Sequence, residues 1–288
     1  MSSVNRVLFD PPGPRARRRI AVATVVSLAL IALLIVLALI QFGRNGQLAA
    51  DRWTPFTHWP YVHFLLQGLL GTLKVTAMAG VFAFPVGAGL ALLRVSTNPL
   101  LRWPATVFIE VFRSVPLLLL VYAFLLALPR YGVNPALFWK LTIPIVIVNS
   151  ALLAEVFRAG INAVPRGQAE AGSAIGLRYH QVMRIVVVPQ AIRIVVPALV
   201  TQFVSLLKDS TLGYVVGYPE LMKQGQNLTV YTHLLVQTFL IVTLVYVLLN
   251  YLLGVVARAL EARINARPRA RAVAAAEPGE AAPGALVR

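Results

Sequence analysis

The sequence predicts an all-α integral membrane protein with six transmembrane helices, and three observations carry that reading. Hydrophobic residues make up 58% of the 288-residue chain and charged residues only 12%, too little charge to cover a soluble domain of this length. The apolar residues gather in runs of roughly 20 or more, enough to cross a hydrocarbon core of about 30 Å as helix. Two-residue alternation in short segments, the mark of an outer-membrane barrel, is absent from the sequence.

The elements follow in order. Residues 1–19 form a basic N-terminus ending in Arg15, Arg17, Arg18 and Arg19, and the uncharged run 20–42 comes next. A cleavable signal peptide has an apolar part of only about 7–15 residues and small residues at its cleavage site. This run is longer and ends in Gln41-Phe42-Gly43-Arg44, so a retained helix is expected. Residues 45–61 carry Trp53, Trp59 and Tyr61 with Pro55 and Pro60, an interfacial loop with aromatic anchors. The second apolar stretch, 63–93, is long for one straight span, and Gly80, Pro85, Gly87 and Gly89 point to a kink or to close helix packing. Further spans are expected at 104–128, 137–160, 185–207 (with Pro189 and Pro197 inside it) and 233–256. The tail 266–288 is built of Ala, Pro, Arg and Glu and is expected to be disordered.

Basic residues orient the chain. With the N-terminus inside, six crossings return the C-terminus to the cytoplasm, and the inner segments hold 17 Lys and Arg against 6 outside, with Lys74, Arg113 and Arg193 within apolar runs. The opposite topology inverts that bias, so both termini are expected in the cytoplasm. The same placement accounts for the net charge of +16: most arginines flank apolar runs, and no basic, aromatic-laced surface for nucleic acid is present. With no cysteine in the chain, disulfides, thiolate metal sites and a cysteine nucleophile are excluded. His58, His63, His180 and His233 are scattered without metal-ligand spacing, and neither a His-Glu-x-x-His motif nor a phosphate-binding Gly-x4-Gly-Lys-Ser/Thr loop occurs. Any energy from ATP must therefore come from a partner.

The most informative stretch runs from Glu155 to Leu212. Its middle is a segment of helical composition outside the apolar runs, with apolar residues at Ala171, Ala174, Ile175, Tyr179, Val182 and Met183. Those spacings of three and four make an amphipathic surface that either lies on the membrane or docks into another protein's groove. Gly172 and Gly176 allow close backbone approach or a turn between two short helices.

This stretch resembles the loop shared by permeases of ATP-binding-cassette importers, whose pattern is Glu-Ala-Ala, three residues, Gly, nine residues, Ile-x-Leu-Pro. Here Glu170-Ala171-Gly172 stands for Glu-Ala-Ala, Gly176 is in register, and Val186-x-Val188-Pro189 closes the pattern. The departures are Gly172 for Ala, Val186 for Ile and Val188 for Leu, and Gly172 is expected to loosen its helix by about 1 kcal/mol. The segments EVFRAGINAVPRGQAEA, VVPQAIRIVVP, LLKDSTL and GLLGTLKVTAMAG are similar to the polar amino-acid group of these permeases. The resemblance covers about 67–256. It implies a five-helix permease core within 63–256, with 20–42 as an added N-terminal helix and a cytoplasmic coupling loop at about 161–184.

The resemblance further implies a permease subunit rather than an enzyme. It would pair with an identical or homologous permease, with cytoplasmic ATPase subunits that hold ATP and Mg²⁺, and with an extracytoplasmic amino-acid-binding protein. Cofactors bound by this chain itself are not expected. The ATPase contact is expected at Gln168, Glu170, Ala171, Gly172, Ile175 and Gly176. The cargo is expected to be a polar amino acid, with glutamate or a relative first, in keeping with the basic Lys74, Arg113 and Lys208 in or beside apolar runs.

Ionisable residues in the membrane are costly and are candidates for function. Glu110 and Arg113 share a helix face at i, i+3, as do Glu155 and Arg158, so each pair is either functional or a self-neutralised packing device. Arg113-Ser114-Val115-Pro116 matches the family's Arg-x-x-Pro element, and Pro116 frees the carbonyl of Phe112. With Glu110, Arg113 and Ser114, the run Lys208, Asp209, Ser210 and Thr211 is expected to contact substrate, cations meeting its carboxylate and Asp209 its ammonium. Lys74 and Lys208 could equally be snorkelling side chains. The rival readings are a secondary transporter, which should show inverted repeats with paired broken helices, and an intramembrane enzyme, for which no paired catalytic set exists.

Overall fold

The computed structural model describes residues 13–276, with side chains through 256 and at 258, 259 and 262. The chain divides into two units, Met1–Trp59 and Pro60–Arg288. In the first unit, α1 (Pro14–Arg44) starts on a proline, ends on Arg44 and buries none of its residues. Its fixed-φ proline suits a first helical position, and an apolar surface left uncovered all round is that of a lipid-facing span. The expected interfacial loop is two 3₁₀ turns, Ala50–Arg52 and Thr54–Thr57, with the Trp53 indole donating to the Gln47 carbonyl at 3.2 Å.

In the second unit, α2 (Trp59–Arg94) is one unbroken helix that carries Pro85 in its interior. Its buried face begins at Leu65 and continues through Gly68, Gly71, Thr72, Val75, Thr76, Ala79, Gly80, Ala83, Gly87 and Ala91, mostly small residues at spacings of three and four. A methyl group on Gly87 would fall 2.9 Å from the Ser150 carbonyl, and one on Gly71 would fall 2.5 Å from that of Pro219. Close packing is thus the role of Gly87, whereas Gly89 faces open space.

The span expected at 104–128 is not one straight helix. Helix α3 (Pro99–Ser114) begins under the Asn98 side chain, which accepts from the Leu100 amide, and stops at extended Val115. Pro116 cannot supply the amide that would continue α3, and it forces the preceding residue out of the helical region. Helix α4 (Leu117–Tyr122) then leads through a π-helical turn, Ala123–Ala127, into a 3₁₀ turn, Leu128–Tyr131. The two halves meet at 97°. Among the described residues, five helices are long and apolar enough to cross a membrane, or six if this bent pair is one crossing.

Helix α5 (Leu137–Ala163) is the most buried span, with 61% of its apolar window inside the structure. It packs most extensively on α7 (Val188–Asp209). The main core joins Val75 and Ala79 of α2, Val121 of α4, Leu141 and Ile145 of α5, Leu206 of α7 and Val216. Between α5 and α7 lies the short helix α6 (Arg166–Ala174), ended by Gly176 at φ +84. A turn at Tyr179–Gln181 and a π-helical turn, Val182–Val187, lead from there into α7. Helix α8 (Leu221–Thr232), between the last two spans, was not foreseen from the sequence. The final helix α9 (Leu235–Ala276) runs into the segment 266–288 for which disorder was expected, and 277–288 lie outside the described residues.

Candidate functional site

Helix α5 carries polar groups at two levels that face its neighbours. At the first level, Asn149, wholly buried, donates from Nδ2 to Asp209 Oδ2 at 2.9 Å and accepts from Gln202 Nε2 at 2.6 Å. The chain Gln202–Asn149–Asp209 ties α5 to α7 by amide and carboxylate, and each pairing covers a polar group that lipid could not satisfy. Lys208 beside it is exposed, with no ion pair among the described residues. Ser210 is buried and its hydroxyl donates to the Leu207 carbonyl at 2.7 Å, while Thr211 donates to the Lys208 carbonyl at 2.7 Å.

The second level lies six residues along α5, about 9 Å at the helical rise of 1.5 Å per residue. There Glu155 meets Arg158 of its own helix at 2.8 Å, Arg94 from the end of α2, and Arg113 from α3 at 3.8 Å. Arg94 also pairs with Glu110 at 2.7 Å, and Glu110 meets Arg113 at 3.5 Å. Both sequence-expected pairs, Glu110–Arg113 and Glu155–Arg158, therefore form, within a five-charge cluster that spans three helices. The Ser114 hydroxyl donates to the Glu110 carbonyl at 2.7 Å. The Arg113 element on α3 and the Asp209 element on α7 thus meet α5 at two different heights, at Glu155 and at Asn149.

The segment 166–187 folds as a hairpin rather than as one amphipathic surface. Gly176, in the left-handed region that favours glycine, reverses the chain after α6, so the helical periodicity is not carried across it. The expected apolar face accordingly divides. Val182 is buried and Met183 packs beside it, whereas Ala171, Ala174, Ile175 and Tyr179 stay exposed, Ile175 by 78%. Gly172 points inward, and a methyl group there would sit 3.2 Å from Val182 Cγ2. Glycine at this position thus serves contact within the hairpin. Glu170 is exposed, Gln168 accepts from Gln190 Nε2 at 3.2 Å, and the Tyr179 hydroxyl donates to the Val95 carbonyl at 3.1 Å.

Sequence reasoning passed over three groups. Arg94 was counted only as a loop cation, yet it bridges Glu110 and Glu155. Asn149 and Gln202 are amides inside apolar runs, a signal that was legible but unused. Glu220, with 0% exposure, caps α8: its carboxylate accepts from the Met222 and Lys223 amides at 2.8 and 2.6 Å and from the Tyr246 hydroxyl at 2.9 Å. Burial pushes its carboxyl up to about 7, against these hydrogen bonds, which favour the charged form. Glutamate is not among the usual N-terminal capping residues, so the sequence around Tyr218-Pro219-Glu220 carried no standard signal for this cap.

The comparisons with known proteins agree with this architecture. Residues 83–266 match the family model described as binding-protein-dependent transport system inner membrane component. The chain is 34% identical over 231 residues to the glutamate transport system permease protein of Corynebacterium glutamicum, covering 78% of this chain and 84% of that protein. It is 35% identical over 206 residues to a probable glutamine transporter permease of Bacillus subtilis, covering 70% and 94%. Among solved structures, an amino acid ATP-binding-cassette transporter superposes with a TM-score of 0.67 at 31% identity, covering 71% of this chain and 95% of that one. A methionine transporter shares the fold, with a TM-score of 0.62 at 23% identity. With the family model matched over residues 83–266 and relatives more than 30% identical over most of both chains, the chain belongs to the family of inner-membrane components of binding-protein-dependent transport systems and is a permease subunit of an ATP-binding-cassette importer.

Proposed function

We propose that this permease carries a polar amino acid inward, with glutamate or a close relative first, and that the 166–187 hairpin is its contact with a cytoplasmic ATPase. The observation that carries this reading is the outer face of α6. Ala171 and Ile175 are apolar and exposed beside exposed Glu170, so the hairpin presents an apolar surface that the chain itself does not cover. The cargo follows the relatives, which are named for glutamate, glutamine and arginine. An extracytoplasmic binding protein delivers the amino acid, a second permease, identical or homologous, completes the path, and ATP with Mg²⁺ is held by the ATPases. Both termini and the hairpin lie in the cytoplasm, as the basic residues require.

Within the path, Lys208 and Asp209 with Ser210 and Thr211, and then Glu110, Arg113 and Ser114, serve as successive contacts at two depths. Asp209 meets the substrate ammonium and the cations its carboxylates. No observation favours an ion-coupled mechanism.

The test uses the complete importer in proteoliposomes. Uptake of radiolabelled glutamate, glutamine and arginine should require both ATP and the binding protein. Uptake that persists without ATP and collapses with an ionophore would refute the reading. Because the chain has no cysteine, a single cysteine at Ala171 should also crosslink to one engineered into the ATPase.

A further inference from the structure

We propose that Arg94 is the positioning residue through which movement of the 166–187 hairpin reaches the bend at Val115–Pro116. This inference rests on the reading of the hairpin as the ATPase contact and adds the next step inward. Arg94 closes α2, and its side chain is only 17% exposed. One Nη reaches Glu110 on α3 at 2.7 Å and the other reaches Glu155 on α5. Next to it in the chain, the Val95 carbonyl accepts from Tyr179 at the start of the hairpin's return limb. Two consecutive residues, Val95 and Arg94, thus stand between the hairpin and both carboxylates.

The remaining charges are arranged to let the joint move. Three guanidinium groups share two carboxylates, so one positive charge is in excess. Arg113 is the loosely held member, at 3.5 Å from Glu110 and 3.8 Å from Glu155, and 44% exposed. It sits one residue before the end of α3, next to the 97° bend. Displacing Arg94 would release Glu110 and Glu155 to Arg113 without leaving either carboxylate unpaired, because a second arginine already touches each. The two pairings give the joint two arrangements of similar charge balance, which a coupling element requires. Arg94 is a bidentate bridge, so lysine is not its equivalent.

The experiment measures uptake and ATP hydrolysis together in the complete importer, with Arg94→Gln, Arg94→Lys, Tyr179→Phe and the Arg94→Gln/Tyr179→Phe double variant. Arg94→Gln should lower amino acid moved per ATP hydrolysed by roughly two- to thirtyfold, the range for residues that carry coupling between sites, while hydrolysis continues. Arg94→Lys should fall between Arg94→Gln and the wild type. Tyr179→Phe should lower the ratio by at least about twofold, and the double variant should be no worse than Arg94→Gln, since both lie on one route. A ratio unchanged in Arg94→Gln, or additive losses in the double variant, would overturn the proposal. Uptake and hydrolysis falling in proportion would do so too, as a merely structural role predicts. If Arg94→Gln fails to assemble, the ratio for Tyr179→Phe decides. A wild-type importer without ATP-dependent uptake would instead defeat the functional reading itself.

Discussion

Replacing Glu220 by glutamine should abolish most of a pH dependence that the wild-type fold carries. The Glu220 carboxyl titrates at about 7 in the folded chain against an ordinary value of 4.5. Its folded value is raised, so its contribution to stability is full below pH 4.5 and is lost as pH rises through about 7. Over that window the folded chain keeps a proton that the unfolded chain has released. Stability should fall by about 1.4 kcal/mol per pH unit, on the order of 3 kcal/mol in all. The cause is burial: the carboxylate lies fully inside among α2, α8 and α9, with two amides and the Tyr246 and Thr72 hydroxyls favouring its charge but no ion pair among the described residues to offset it. Glutamine is neutral throughout. It keeps one accepting oxygen and turns its NH₂ toward a donor, which costs roughly 1–3 kcal/mol for the group left unpaired. Glu220→Gln should therefore be less stable than wild type at pH 5, and the gap should shrink by about 3 kcal/mol by pH 8. Thermal unfolding in detergent at half-unit pH steps reads this as a difference curve, in which the other carboxylates cancel. A difference that stays constant across pH 5 to 8, or widens, would refute the reasoning. Tyr246→Phe removes a donor to the charged form and should move the wild-type transition to higher pH.

Three further outcomes are expected. Gly160→Ala should destabilise the chain by about 1–3 kcal/mol, because its new methyl group would sit 2.2 Å from Val195 Cγ1 and 3.1 Å from the Ala191 carbonyl; thermal unfolding checks it. Ile175→Asp should leave the thermal midpoint nearly unchanged, since the side chain is exposed, yet abolish co-purification with the ATPase. Asn149→Leu should destabilise the α5–α7 contact by roughly 1–3 kcal/mol, as Asp209 and Gln202 both lose their partner. Uptake by Asn149→Leu should fall more than its thermal midpoint explains if Asp209 holds the cargo's ammonium.

Much of this protein could be read from its residues because lipid leaves a chain few choices. Apolar runs of spanning length must be helix, since no water is available to satisfy an open backbone. The spans at 20–42, 63–93 and 137–160 therefore lie within helices of the structure, and that at 233–256 does so from Leu235 on. Pro116 announced a break in the third span, because a missing amide is a local property of one residue. The motif around Glu170 and Gly176 was legible for the same reason: its spacing is a feature of the chain alone, and the family match agrees with it.

What the residues could not disclose is which side chains meet across helices. Periodicity assigns a face but not the neighbour that covers it, and glycine at position 176 resets the phase of the hairpin so that Ala171 and Val182 part company. Arg94, Glu110 and Glu155 are distant in sequence, and only the packing of α2, α3 and α5 makes them one cluster. Asn149, Gln202 and Asp209 follow the same rule, as does Glu220, whose unusual proton affinity comes from being enclosed. Helix formation is settled by hydrogen bonds four residues apart, whereas charge pairing and desolvation depend on distances through space that only the folded chain defines.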